Sequence, residues 1–360
     1  LTVDLPAGYP DITVQPVGGP LASGGSLTLS VGVTGDGPFS YQWMLNGVPI
    51  PGATGPTYAA SVSGAYSVSI SNPVATAVSG SVLVGVENRL INVSTRAIVQ
   101  TGGAIAIAGF VIHGPAGVPK QVLIRGVGPA LAEFSVSGIL ANPTITLFGP
   151  TNTEMASNTG WGSNADPTQI AAVSAEVGAF ALPAGSADSA MLAALTPGSY
   201  SVELSGVGST TGVGLVEVYE VDTSDSSLLV NISTRAEVGT GANVLIAGFV
   251  VHGTQPATVL VRAVGPSLSA FGVTGVLAQP ILTLFDSTGT SFAGNTGWGT
   301  NADTARIVSV SSEVGAFALP SGSADSALVL TLAPGTYSAE VTGVGGSTGI
   351  ALVEVYQATP

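Results

Sequence analysis

The sequence contains no cysteine, two histidines, and seven Lys and Arg residues against 21 Asp and Glu, for a formal net charge of −14 over 360 residues. Each scarcity removes a class of function. Without thiols and with so few imidazoles, zinc fingers, iron–sulfur clusters, thiolate-ligated haem and thiol catalysis are excluded. Seven cations cannot neutralise a phosphate backbone, and the acidic balance repels one, so no nucleic-acid partner is expected. Charged residues make up only 8% of the chain. Long hydrophobic runs are missing too. The most apolar stretches, residues 104–112 and 244–251, are interrupted by Gly109 and Gly248. They fall well short of the roughly 20 residues a spanning helix needs, so no membrane insertion is expected. No segment carries GxSxG, HExxH, a P-loop or GxGxxG, so no cofactor and no enzymatic activity are expected. Disorder is excluded by the opposite measure, a hydrophobic content of 45%.

What is present is a duplication. Asn92-Val-Ser-Thr-Arg96 recurs as Asn231-Ile-Ser-Thr-Arg235, and Ala108-Gly-Phe-Val-Ile-His113 as Ala247-Gly-Phe-Val-Val-His252. Asn158-Thr-Gly-Trp-Gly162 recurs as Asn295-Thr-Gly-Trp-Gly299, and Leu215-Val-Glu-Val-Tyr219 as Leu352-Val-Glu-Val-Tyr356. Each copy is long enough for its own core, so this is tandem domain duplication rather than a short solenoid repeat. Within the first copy, segments 105–113, 121–125, 144–148, 191–195, 200–204 and 214–219 read as short strands. One segment has helical spacing, with Ile170, Val173 and Val177 following Asp166-Pro167 and preceding Gly178. Asp suits the N-cap, Pro the first helical position and Gly the C-terminal stop. The close of the first copy, Leu195-Thr-Pro-Gly-Ser-Tyr-Ser-Val202 before a Gly-rich loop and a last strand, resembles jelly-roll modules of secreted bacterial proteins, including the pre-peptidase C-terminal type. The repeat as a whole also resembles a tandem domain of large secreted proteins of environmental bacteria. The resemblance implies an extracellular setting and supplies no catalytic residues.

Residues before about 87 do not match the repeat. Segments 26–33 and 66–70 alternate apolar and polar residues, and Asn46-Gly47 is a two-residue hairpin signal. Tyr41-Gln-Trp43 followed by Gly64-Ala-Tyr66-Ser-Val68 resembles a bacterial immunoglobulin-like domain. The resemblance implies a core Trp43, a tyrosine corner at Tyr66, and apolar packing of Val31 and Val68 where that family places a disulfide. The expected fold is therefore all-β: three β-sandwich domains in series, one Ig-like and two duplicated jelly-roll-like sandwiches, each with one short helix. The expected boundaries are an extension at 1–9, the Ig-like domain at 10–86, and the repeats at 88–222 and 227–358.

The few charges are expected to be structural. Arg96, Arg125 and Glu217 match Arg235, Arg262 and Glu354, and such charges in apolar strands must be paired. A pair of carboxylates serving glycoside hydrolysis is the weaker reading, since two copies would mean two sites without a cleft between them. Trp161 and Trp298, in Gly-rich loops, read as plugs of the sandwich ends, with stacking on a sugar as the alternative. Asp166 and Asp303 are weak calcium candidates without EF-hand spacing.

Function is read from the surface. One lysine, Lys120, is available in the whole chain to guard strand edges, and unguarded edges accept strands from neighbours. With charges drawn inside, the surface is expected to be nearly neutral per unit area and to offer little barrier to self-association. Leu1-Thr-Val-Asp-Leu-Pro6 alternates like a donated strand, with Leu1, Val3 and Leu5 as its anchors. The chain opens on Leu1 rather than Met, which reads as a product freed of its signal peptide. The leading expectation is an extracellular or cell-surface structural protein, a filament or surface-layer subunit whose partners are copies of itself. The alternative is a carbohydrate-binding adhesin or stalk that meets glycans or a cell surface.

Overall fold

The computed structural model describes residues 8–21, 25–86, 89–221, 227–254 and 256–358. Contacts divide the chain into two compact units, one of Leu1–Asn88 with Gly253–Gln255 and one of Arg89–His252 with Pro256–Pro360.

The first unit is an Ig-like β-sandwich. Its strands are β1 (Asp11–Val14), β2 (Gly19–Leu21), β3 (Leu27–Ser30), β4 (Gly32–Thr34), β5 (Ser40–Leu45), β6 (Val48–Pro49), β7 (Thr57–Ala60), β8 (Gly64–Ser71), β9 (Thr76–Val78) and β10 (Val82–Val86). One sheet runs β2-β10-β8-β5-β6, with β9 beside β8; β3–β7 and β1–β4 form the smaller pairs. Asn46 and Gly47 both have positive φ, 51° and 79°, as a type I′ turn between β5 and β6 requires. Trp43 is fully buried, and the Tyr66 hydroxyl donates to the Val62 carbonyl at 2.7 Å, closing a tyrosine corner. Val31 and Val68 are both buried, so apolar contact stands in for a bridge. Gly8 and Tyr9 belong to this unit rather than to an extension over 1–9. The Gly8 carbonyl accepts from Asn72 Nδ2 at 2.6 Å, and the Tyr9 hydroxyl donates to the Thr76 carbonyl. Leu1, Val3 and Leu5 lie outside the described residues.

The second unit contains both repeat copies. The first copy supplies β11 (Arg89–Val99), β12 (Ala106–His113), β13 (Lys120–Val127), β14 (Pro143–Phe148), β15 (Glu154–Thr159), α1 (Pro167–Glu176), β16 (Ser189–Leu195), β17 (Gly198–Gly206) and β18 (Gly212–Glu220). The second supplies β19 (Leu228–Val238), β20 (Leu245–His252), β21 (Ala257–Val264), β22 (Pro280–Phe285), β23 (Ser291–Asn295), α2 (Thr304–Glu313), β24 (Ser326–Leu332), β25 (Gly335–Gly343) and β26 (Gly349–Gln357).

Here the structure differs from the expected pair of separate domains over 88–222 and 227–358. One sheet runs β16-β13-β18-β11-β20-β25-β22-β23, crossing from the first copy to the second at β11–β20. A second run facing it is β15-β14-β17-β12-β19-β26-β21-β24, crossing at β12–β19, and the two runs join where Ile98 of β11 pairs Glu237 of β19. The physical reason lies in the edges. An isolated copy would leave β11 and β12 with one row of unpaired backbone groups each, and the other copy pairs both rows. The inner faces then merge into one core holding Val93, Phe110, Tyr200 and Val216 of the first copy with Ile232, Phe249, Val341 and Val353 of the second. Along β11, Val93, Thr95, Ala97 and Val99 point inward by strict alternation, as the period-two pattern demands.

Each copy carries its helix on an outer face. Asp166 is the N-cap of α1, accepting from the Gln169 amide at 2.9 Å, with Pro167 at the first position. Ile170 and Val173 bury against Leu123, Leu131 and Tyr219 on the outer face of the first copy's strands. In the second copy Ile307 and Val310 pack against Leu260, Leu268 and Tyr356 in the same way.

Candidate functional site

The most elaborate polar constellation lies between each helix layer and its sheet. Arg125 on β13 and Glu217 on β18 are directly opposite in register, so their side chains leave the same face. Arg125 Nε donates to Glu217 Oε2 at 2.8 Å, its Nη1 donates to the Phe180 carbonyl at 2.6 Å, and its guanidinium lies 4.4 Å from the centre of the Phe180 ring. The Tyr219 hydroxyl donates to the other carboxylate oxygen at 2.7 Å. The second copy repeats this with Arg262, Glu354, Phe317 and Tyr356, at 2.8, 2.6, 4.4 and 2.7 Å. Burial pushes the Glu217 carboxyl up, while Arg125 and the Tyr219 hydroxyl pull it back. Burial and the adjacent carboxylate raise the Tyr219 and Tyr356 phenols above their ordinary range. Both carboxylate oxygens are engaged and both arginines are fully buried, so the group ties the chain near Phe180 and Phe317 to the sheet.

Arg96 and Arg235 do not join an ion pair among the described residues. Each lies between apolar register partners, Leu215 and Ile246 for Arg96, and Leu352 and Ile107 for Arg235. No carboxylate stands directly opposite, and each Nε is buried without a hydrogen-bond partner among the described residues.

Two buried carboxylates escaped the sequence reading as organising groups. Asp188 accepts from the Gly128 amide at 2.7 Å, from the Ala130 amide and from Ser186 Oγ, holding the 3-10 turn Pro129–Phe134. Asp325 accepts from the Gly265 and Ser267 amides and from the Ser267 hydroxyl. Their signal was a matched Asp following Ser-Ala in both copies.

The tryptophans are positioned as packing elements. Trp161 Nε1 donates to the Pro183 carbonyl and Ser186 Oγ, and Trp298 Nε1 to Pro320 and Ser323. Trp298 is only 5% exposed, which leaves no face free for a sugar ring. Trp161 is half-buried against the helix layer. Each indole borders an apolar groove beside its helix. The grooves measure about 210 Å³ in the first copy and about 390 Å³ in the second. Asp166 is used as a helix cap. Asn158 Oδ1, a neighbouring oxygen, is taken by the Ala190 amide. Among the described residues no group of three or more His, Asp or Glu could hold a metal ion.

The edge chemistry separates the four outermost strands. On β16, Ala190 is capped by Asn158 Oδ1 at its amide and by Asn164 Nδ2 at its carbonyl. On β24, Asn295 and Asn301 do the same for Ala327. Among the described residues the hairpin strands β15 and β23 pair only with β14 and β22. They carry exposed Met155 and Phe292 and contain no Lys, Arg or Pro.

The charge distribution also departs from the expected near-neutral surface. Arg89, Lys120, Arg125 and Arg262 are buried, so Lys120 guards no edge. Lys120 Nζ lies 2.9 Å from Glu220 Oε1, and Arg89 Nε lies 3.4 Å from Oε2. Arg306 is the one exposed cation among the described residues, against exposed Asp11, Asp36, Glu133, Glu154, Asp166, Glu176, Asp303 and Glu313. Among the described residues the exterior is sparse in charge, and apart from Arg306 that charge is anionic.

No family model matches the chain, and no curated protein matches it. Among solved structures, a three-domain I-band fragment of titin is similar at 14% identity, covering 71% of this chain and 79% of that one, with a TM-score of 0.23. A mutated variant of the same titin region aligns over 95% of this chain and 96% of that one at 12% identity, with a TM-score of 0.22. Extracellular domains 3–5 of Drosophila OTK align over 68% of this chain and 59% of that one at 12% identity, with a TM-score of 0.19. These scores lie below what a shared overall architecture requires.

Proposed function

We propose that this chain is a non-catalytic structural protein of the cell exterior, a filament or surface-layer subunit that joins copies of itself by strand addition and head-to-tail contact. The observation that carries this reading is the pair of outer hairpin strands, β15 and β23. Among the described residues each is ladder-paired on one side only, carries an exposed apolar side chain and has no cationic or proline guard, although the Thr159 and Asn295 carbonyls at their ends accept from Ser163 and Ser326. An incoming strand would gain main-chain hydrogen bonds there and bury Met155 or Phe292. The donor in this proposal is the segment beginning Leu1-Thr-Val-Asp-Leu-Pro6. The anionic exterior adds a corollary: assembly strengthens with ionic strength, since salt screens like-charge repulsion between subunits.

The test is negative-stain imaging of three proteins: the full chain, a form lacking residues 1–7, and the Met155→Lys/Phe292→Lys variant. Fibres or sheets from the full chain alone, with unchanged β-sheet circular dichroism in all three, are the expected result. Polymers that persist in both altered forms would remove strand addition as the mode of assembly.

A further inference from the structure

The junction between the repeat copies is self-complementary. On one ladder Val93 opposes Phe249, Ser94 opposes Gly248, Thr95 opposes Ala247 and Arg96 opposes Ile246. On the other, Ile232 opposes Phe110, Ser233 opposes Gly109, Thr234 opposes Ala108 and Arg235 opposes Ile107. These are the same pairings with the copies interchanged. Even the register shifts correspond, falling between Leu90 and Asn92 on β11 and between Val111 and Ile112 opposite the same point of β19. Where the ladders meet, Thr95 Oγ1 and Thr234 Oγ1 lie 2.8 Å apart, buried, equivalent residues hydrogen-bonded to each other as across a two-fold axis. The close approaches are equivalent as well. A Cβ on Gly109 would meet Ser233 Oγ at 2.8 Å, and one on Gly248 would meet Ser94 Oγ at 2.8 Å.

Such an interface is isologous: one patch meets its own equivalent. Nothing in its pairing depends on the two copies belonging to one chain. We infer that two chains exchange repeat copies through this junction, so that the partner of a repeat is a repeat from a second copy of this protein. The exchanged junction has the ladders, core contacts and threonine pair of the closed one. The balance is then set by the effective concentration of the tethered copy against that of free chains. Because the junction is buried, exchange happens while chains fold rather than by docking of finished surfaces. The inference concerns the second unit alone and does not depend on the filament reading.

The absence of cysteine supplies a clean test. Thr95→Cys and Thr234→Cys are made as separate full-length chains, unfolded together, refolded over a range of concentrations, oxidised and run on a non-reducing gel. The double variant in one chain serves as the geometric control and closes an internal disulfide. A covalent dimer from the mixed single variants arises only by exchange, since the residues are buried in every closed monomer. With an effective concentration on the order of mM for a short tether, the dimer fraction should rise roughly in proportion to chain concentration between about 1 and about 100 µM. A dimer from Thr95→Cys alone also supports the inference, because it reports pairing of like copies. An internally closed double variant together with no covalent dimer at any concentration overturns it. Light scattering of the unaltered chain after the same refolding series decides the matter if the control disulfide fails to close. A dimer that persists on dilution supports exchange, and monomer throughout refutes it.

Discussion

The two repeat copies build the same half-sandwich with different interiors at one end. The first copy buries Arg89, Lys120 and Glu220 as an ionic group, with Glu220 between the two cations. The positions matched to these in the second copy hold Leu228, Ala257 and Gln357. Strand registers around them are unchanged: Val122 opposes Glu220 in one copy, and Val259 opposes Gln357 in the other. The molecule thus contains its own comparison of a buried ionic cluster with its largely uncharged replacement, and the fold accepts both. The Arg125–Glu217 pair behaves differently and is kept as Arg262–Glu354. The difference follows from what each arginine touches. Arg125 also bonds a carbonyl and covers the ring of Phe180, so its loss would release the segment after the helix as well as a charge. Buried ionic pairs are weak evidence of stabilisation by themselves, and the retained one has further contacts to hold.

The sharpest way to break the comparison is to remove one charge and leave the others. Glu220→Gln removes the carboxylate that two buried cations share, and the largest loss of stability in this set, up to about 3–5 kcal/mol, is expected in urea unfolding. Converting all three positions to the second copy's residues, Arg89→Leu/Lys120→Ala/Glu220→Gln, should recover most of that loss. A triple variant as unstable as the single one would show that the ionic group does something in the first copy that the second copy's packing cannot.

A smaller effect is expected at the junction, where the copies are alike. Gly109→Ala and Gly248→Ala each push a methyl against a serine oxygen, Ser233 in the first case and Ser94 in the second. Overpacking of this kind costs about 1–3 kcal/mol. The two substitutions should cost similar amounts, and Ser233→Ala or Ser94→Ala should relieve the matching one. Unequal costs, or no relief from the serine changes, would mean that the junction is less symmetric in energy than in register.

Much of the second unit was legible in the sequence because its signals are local. The strand segments from 105 onward sit within the observed strands or overlap them closely, and the Asp166-Pro167 helix start was read from cap chemistry alone. The unguarded hairpin strands were not read. Glu154-Met-Ala-Ser-Asn-Thr159 is exposed on both faces and so carries no alternation to detect. The joining of the copies was not read either. Asn92-Val-Ser-Thr-Arg96 was visible as a repeated motif, but a strand's pattern reports which residues face inward, not which neighbour lies beyond its edge. The alternation along β11 would be the same beside solvent, beside its own copy or beside the other one. Arg96 and Arg235 show the same limit. A charge in an apolar strand announced a need for a partner, while its flanking strands set Leu215 and Ile246, or Leu352 and Ile107, opposite it.

The smallest expected effect tests whether the asymmetry of the ionic group reaches across the junction. Arg89 at the start of β11 is the register partner of His252, while the equivalent position on the other ladder sets Leu228 opposite His113. Burial lowers the His252 pKa below the usual imidazole value, and the Arg89 charge lowers it further. A group whose folded pKa is depressed contributes stability that is present above its unfolded pKa and lost as pH falls through the folded value. His252 should therefore weaken the folded state as the pH drops below about 6.5, the ordinary histidine pKa. The chain has two histidines, so two imidazole signals are expected in a proton NMR titration, and His252→Gln identifies one by its loss. Arg89→Leu gives β11 the residue found at the start of β19. It should move the His252 midpoint upward without restoring the ordinary value, because burial, the larger cause, remains. An unmoved midpoint would confine the influence of Arg89 to its own copy and leave the two halves electrostatically independent at the seam.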